Sequence, residues 1–153
     1  MFFNNFTKEV TALLLAALSG VLMAVQGSVN AALSKFVGIL ESTFIVHATG
    51  TLLIVVLLFV LRLGKGNLSL YTQAPWYAYF GGAVGVGIIY LVVASIPKVG
   101  VANATTAIIV GQVVAALAID HFGLFGLQRM PCNWCQLGGL LLLAIGAKLL
   151  LRH

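Results

Sequence analysis

The run Ser42-Thr43-Phe44-Ile45-Val46-His47-Ala48-Thr49-Gly50-Thr51-Leu52-Leu53-Ile54-Val55-Val56-Leu57-Leu58-Phe59-Val60-Leu61 decides the fold. With His47 neutral it carries no charge, and Glu41 and Arg62 frame it on either side. A helix of about 20 mostly apolar residues matches the hydrocarbon thickness of a bilayer, so this segment predicts a membrane-spanning helix. Upstream, residues 10–34 predict another span ending at Lys35. Only Phe36-Val37-Gly38-Ile39-Leu40 separates the two, which implies a tight helical hairpin.

Downstream of Arg62, a polar stretch turns at Gly64-Lys65-Gly66-Asn67. A third span, residues 76–96, follows Pro75 and starts with Trp76, Tyr77 and Tyr79 as interfacial anchors. Pro97-Lys98-Val99-Gly100 leaves room for a turn, and a fourth span covers residues 101–119 before Asp120-His121. A Gly-rich connection leads to a fifth span, residues 134–151, closed by Arg152. No segment shows the period-two alternation of an outer-membrane strand. The expected fold class is an all-α membrane protein with five transmembrane helices in one domain, residues 1–153, with no soluble appendage.

Composition agrees. Of 153 residues, 61% are hydrophobic and 7% charged, whereas a soluble domain is about a quarter charged. Even at 150 residues roughly 30% of the unfolded chain's surface stays exposed, so this much apolar surface has no place in water. A soluble enzyme, a nucleic-acid module and a disordered chain are excluded. The net charge of +5 comes from Lys and Arg scattered singly, which leaves no nucleic-acid footprint. Lys8 followed by apolar residues and Ala17-Leu18-Ser19-Gly20 imitates a leader peptide. Retention is the expectation, because Gln26 and Asn30 lie beyond any plausible cleavage point.

Five spans place the termini on opposite sides of the bilayer. The N-terminal side, A, receives Lys8, Arg62, Lys65 and Arg129; side B receives Lys35, Lys98, Lys148 and Arg152. Four oppose four, so the Lys/Arg excess that normally fixes orientation is missing. One flanking residue such as Lys8 could still decide the topology. The reading preferred here is that the chain inserts both ways and pairs antiparallel with an inverted copy of itself or an oppositely oriented paralogue. Five helices barely surround a solute-sized cavity. Two inverted repeats enclose one at the midplane between them, through an isologous contact, giving a ten-helix transporter.

Polar side chains in hydrocarbon are costly and usually line a bundle interior or a wet cavity. Gln26 and Asn30 share a face of the first helix. His47 is the one ionisable group well inside a span, and it suits either packing or proton titration. Asn103 and Thr106 open the fourth helix, and Thr105, Ile109, Gln112 and Ala116 form a stripe that brings Gln112 near mid-membrane. Gln26, Asn30, His47, Asn103, Thr106 and Gln112 are therefore the expected substrate-pathway residues. Each has a plainer alternative: the threonines can bond carbonyls one turn back, and the carboxamides can tie helices together. Asp120 is expected to pin a helix end. Gly20, Gly81, Gly85 and Gly111 lie in small-xxx-small stripes that mark helix packing.

Other motifs fail. Cys132-Asn133-Trp134-Cys135 offers two thiolates where a structural zinc needs four ligands, and neither His121 nor His153 is tied to them. Gly85-x-Gly87 lies within a span and is no phosphate loop. Three acidic residues leave little for acid–base catalysis. No catalytic residue, metal or cofactor is expected.

The stretch Val99-Gly100-Val101-Ala102-Asn103-Ala104-Thr105-Thr106, then Gly111-Gln112, then Asp120-His121-Phe122-Gly123, resembles the YdcZ-type family of small bacterial inner-membrane proteins. Gln26, Asn30 and the fifth span ending at Gly146-Ala147 fit the same pattern. That family belongs to the drug/metabolite transporter superfamily, and its single-repeat members resemble half of ten-helix relatives. The resemblance implies a multi-pass protein of the bacterial inner membrane. It also implies dual-topology homodimers or inverted paralogue pairs, with a substrate pathway between the halves. Small multidrug resistance proteins, distant relatives, use an acid within the first helix for proton exchange. Here the first hydrophobic stretch holds none, and Glu9 stands at its entrance. A neutral or zwitterionic solute held by Gln26, Asn30, Asn103 and Gln112 fits better than a cation. The expected function is secondary transport of a small metabolite or drug-like solute by alternating access. The alternatives are a passive channel or a non-transporting subunit of a paralogue pair.

Overall fold

The computed structural model describes residues 2–151, with side chains from residue 7 onward. Arg152, expected to close the fifth span, lies outside the described residues, as does His153. Among the described residues every regular element is helical.

Helix α1 runs Phe2–Val37 and α2 Ile39–Val55, continued by one π turn, Val56–Val60. Helix α3, Gly81–Val99, is preceded by a 3-10 segment, Trp76–Phe80. Helix α4 runs Val101–Phe122 and α5 Trp134–Leu150. Four stretches, Thr7–Val37, Ile39–Val60, Trp76–Val99 and Val101–Phe122, are long and apolar enough to cross a membrane. The fifth, Trp134–Leu150, has 17 residues and at 1.5 Å per residue reaches about 26 Å, the short end of what spans a bilayer.

Two breaks expected as short loops are single glycines. Gly38 (φ 99, ψ 162) separates α1 from α2, and Gly100 (φ 84, ψ 162) separates α3 from α4. That region of backbone space is open essentially to glycine alone, so one residue breaks the helix at each place where sequence suggested four or five. Helix α3 consequently carries Pro97 in its last turn. At the opposite end, α2 widens into its π turn and stops at Arg62, which takes a positive φ of 52.

The chain divides into two units, 1–98 and 99–153. In the first, α1 packs on α2, and α3 meets α1 at Gly27 and α2 near His47. The buried residues are Gly27, Asn30 and Ala31 of α1, Ser42 and Thr43 of α2, and Val93 and Ile96 of α3. They gather toward the Gly38 end of the α1–α2 hairpin, and those on α1 and α2 are small, which lets helix backbones approach. At the other end of α1, residues 7–22 are exposed throughout. In the second unit, α4 packs on α5, with Ala104 and Ala147 buried. Large apolar side chains such as Leu13, Leu22, Phe44, Leu91, Leu141 and Leu142 stay exposed. In lipid this carries no penalty, because acyl tails are as apolar as leucine.

Candidate functional site

Hydroxyl groups in the helices mostly satisfy themselves locally. Thr11, Ser19, Ser28, Ser34, Ser42, Thr43, Thr49, Ser95 and Thr106 each donate to a carbonyl three or four residues back. Thr106 bonds the Ala102 carbonyl at 2.8 Å, whereas Thr105 finds no partner among the described residues. Among the described residues, Gln26, Asn30, Asn103 and Gln112 have no hydrogen-bond partner within the chain.

Gln26 and Asn30 line one shallow cleft of about 470 Å³ on α1, with Leu22, Val25 and Val29. The face expected from their spacing is therefore real. Asn30 is 5% exposed as a whole residue, yet no unpartnered side-chain nitrogen or oxygen among the described residues is fully buried, so its amide opens onto this cleft. In the second unit, Asn103 and Thr106 are half-buried near the start of α4, and Gln112 is exposed further along the same helix.

His47 lines a different cleft in the first unit, about 580 Å³ in volume, formed by Leu40, Glu41, Thr43, Phe44, Ile45 and His47 of α2 with Val86 of α3. Its Nδ1 lies 2.9 Å from the carbonyl oxygen of Thr43. A carbonyl only accepts, so Nδ1 carries the proton of this bond and Nε2 is the acceptor nitrogen of the neutral ring. The first unit thus holds its polar pathway candidates in two clefts, Gln26 and Asn30 in one and His47 in the other.

Among the packing glycines expected from the stripes, Gly85 lies beneath the His47 ring: a Cβ built there would stand 3.7 Å from Nε2. No atom of the described chain comes within 4 Å of a Cβ built at Gly20, Gly81 or Gly111. The tight approach is instead at Gly27, which with Ala31 forms a small-xxx-small pair on α1 that was not among the stripes singled out.

The Asp120-His121-Phe122-Gly123 exit of α4 is a knot of backbone bonds. Asp120 pins the helix end, through its carbonyl rather than its carboxylate: that oxygen accepts from the amides of Gly123 and Met130. Arg129 Nε donates to the carbonyl of His121, and the Cys132 amide donates to His121 Nδ1. Gly123 takes the left-handed conformation that ends the helix. Cys132 and Cys135 are free thiols.

Long apolar helices, with uncharged polar groups set into them and aromatic residues at the start of α3, define a multi-pass α-helical membrane protein. The family assignment follows. The chain belongs to the DMT_YdcZ family, whose model, described as "Putative inner membrane exporter, YdcZ", matches residues 11–149, and this makes it a multi-pass protein of the inner membrane. No curated protein and no solved structure matches the chain.

Proposed function

We propose that the protein exports a small neutral or zwitterionic solute by alternating access, as one five-helix half of an antiparallel dimer. The observation that carries this reading is the set of four unpartnered carboxamides, Gln26, Asn30, Asn103 and Gln112. Each offers donors and an acceptor without net charge, and in hydrocarbon such groups call for a partner. A hydrogen-bonding solute, water in its pathway, or a second chain supplies one. The balanced Lys/Arg distribution supports an inverted copy or a paralogue as that second chain. The open faces at Gly20, Gly81 and Gly111 leave room for close helix contact with it.

The test is uptake into proteoliposomes of a panel of radiolabelled neutral and zwitterionic metabolites, with Asn30→Leu and Gln112→Leu beside the parent protein. Loss of uptake in both variants, with assembly unchanged by crosslinking, supports the site. Full uptake in both refutes it. Sustained single-channel currents in planar bilayers would replace the transporter with a pore.

A further inference from the structure

We infer that His47 is the proton-binding site of the transport cycle and that Nε2 is the atom that takes the proton; this rests on the export reading above. Four observations converge on it. The ring stands eight residues into α2 from Ile39, about 12 Å along the axis and so deep in the hydrocarbon. Its Nδ1–H is held by the Thr43 carbonyl at 2.9 Å, which leaves Nε2 with the free lone pair. Nε2 projects over Gly85 of α3, where a Cβ would lie 3.7 Å away; no side chain stands at that position to cover it. Finally, the ring lines an open cleft rather than a closed core.

This geometry makes protonation conservative. A proton from water forms the Nε2–H bond, the ring becomes an imidazolium, and Nδ1–H stays bonded to Thr43 throughout. The ring therefore need not swing to load or unload. Release of the same proton from Nε2 to water on the other face restores the neutral ring. Glu41 is the other ionisable group lining the cleft, and its carboxylate folds back over Gly38. The charged or titratable groups of the packed helices are Lys8, Glu9 and Lys35 on α1, and Tyr90 and Lys98 on α3; none of them lines the cleft. His47 is thus placed to carry charge inside the span, whereas the acid of α1, Glu9, stands near its start.

The test has two arms. In the first, full-length protein labelled with ¹⁵N-histidine is reconstituted in liposomes, and its solid-state NMR spectrum is followed from acid to alkaline pH, with His47→Gln used to assign the signal. The expected result is an Nδ1–H tautomer at alkaline pH that gains a proton at Nε2 on acidification. An Nε2–H tautomer, or a ring that never titrates, overturns the proposal. In the second, a solute found to be transported is driven by an imposed pH gradient. His47→Gln should lose accumulation above equilibrium yet retain solute exchange; undiminished uphill accumulation overturns the coupling role while leaving export standing. If the parent protein moves no solute, the export reading fails, and the transport role of His47 fails with it whatever the spectrum shows.

Discussion

Gly27 and Val92 meet where α1 crosses α3: a Cβ on Gly27 would lie 3.0 Å from Val92 Cγ1, with Ile96 Cδ1 at 3.1 Å. Val93 and Ile96, on the same turn of α3, are among the buried residues of the first unit. The absent side chain of Gly27 is what allows that seam to close. Gly27→Leu should overpack it and lower stability by about 1–3 kcal/mol, read as a lower midpoint of thermal unfolding in detergent. Adding Val92→Ala should return part of the loss, since the two sites share one contact. Gly20→Ala, with no atom of the described chain within 4 Å, should leave the midpoint unchanged or slightly higher.

The single-residue helix break at Gly100 gives a cleaner backbone test. No atom lies within 4 Å of a Cβ built there, so Gly100→Ala adds conformational strain without a collision. A cost of about 1–3 kcal/mol is expected. Gly38→Ala should cost more, because its Cβ would also strike the Glu41 carboxylate. Reversible unfolding in mixed micelles would rank them, and equal stability of parent and Gly100→Ala would contradict the assigned backbone.

Helix α5 is the shortest of the five apolar helical stretches among the described residues, and its start is held by a capping box. Asn133 Oδ1 accepts from the Gln136 amide at 2.8 Å, and Gln136 Oε1 accepts from the Asn133 amide at 2.9 Å. Asn133→Ala should cost about 1 kcal/mol and speed amide hydrogen exchange in the first turn of α5. Asn133→Ser should keep most of the protection.

Orientation is testable in cells. A cysteine at Gly66, in a background with Cys132 and Cys135 replaced by serine, should react with an impermeant maleimide in about half of the molecules if the four-to-four charge balance yields both topologies. Uniform labelling or uniform protection would point to one orientation and to a separate paralogue as partner.

Much of this was legible in the chain. A helix is the one open structure that satisfies its own backbone in lipid, so runs of apolar residues announced an all-α chain. Helix α1 begins at Phe2, well before the expected start at residue 10, because apolar content marks a hydrocarbon-length stretch and not where a helix begins. The likeness carried by residues 99–106 and 120–123 reached the family on the same basis. The face shared by Gln26 and Asn30 followed from helical periodicity alone.

Tertiary structure decided what depends on atoms brought together from distant positions or on backbone angles. Two φ values, at Gly38 and Gly100, replace two expected loops. The helix seam closes at Gly27 against Val92 and Ile96; the Gly27-x-x-x-Ala31 pair marks a close approach but not which helix makes it. The carbonyl of Thr43, one turn back, sets the tautomer of His47, while Gly85, from another helix, leaves its second nitrogen open. Sequence names which side chains could do chemistry in a membrane, because burial of polar groups in lipid is costly wherever it occurs. Which of their atoms remain free is settled by neighbours that only folding supplies.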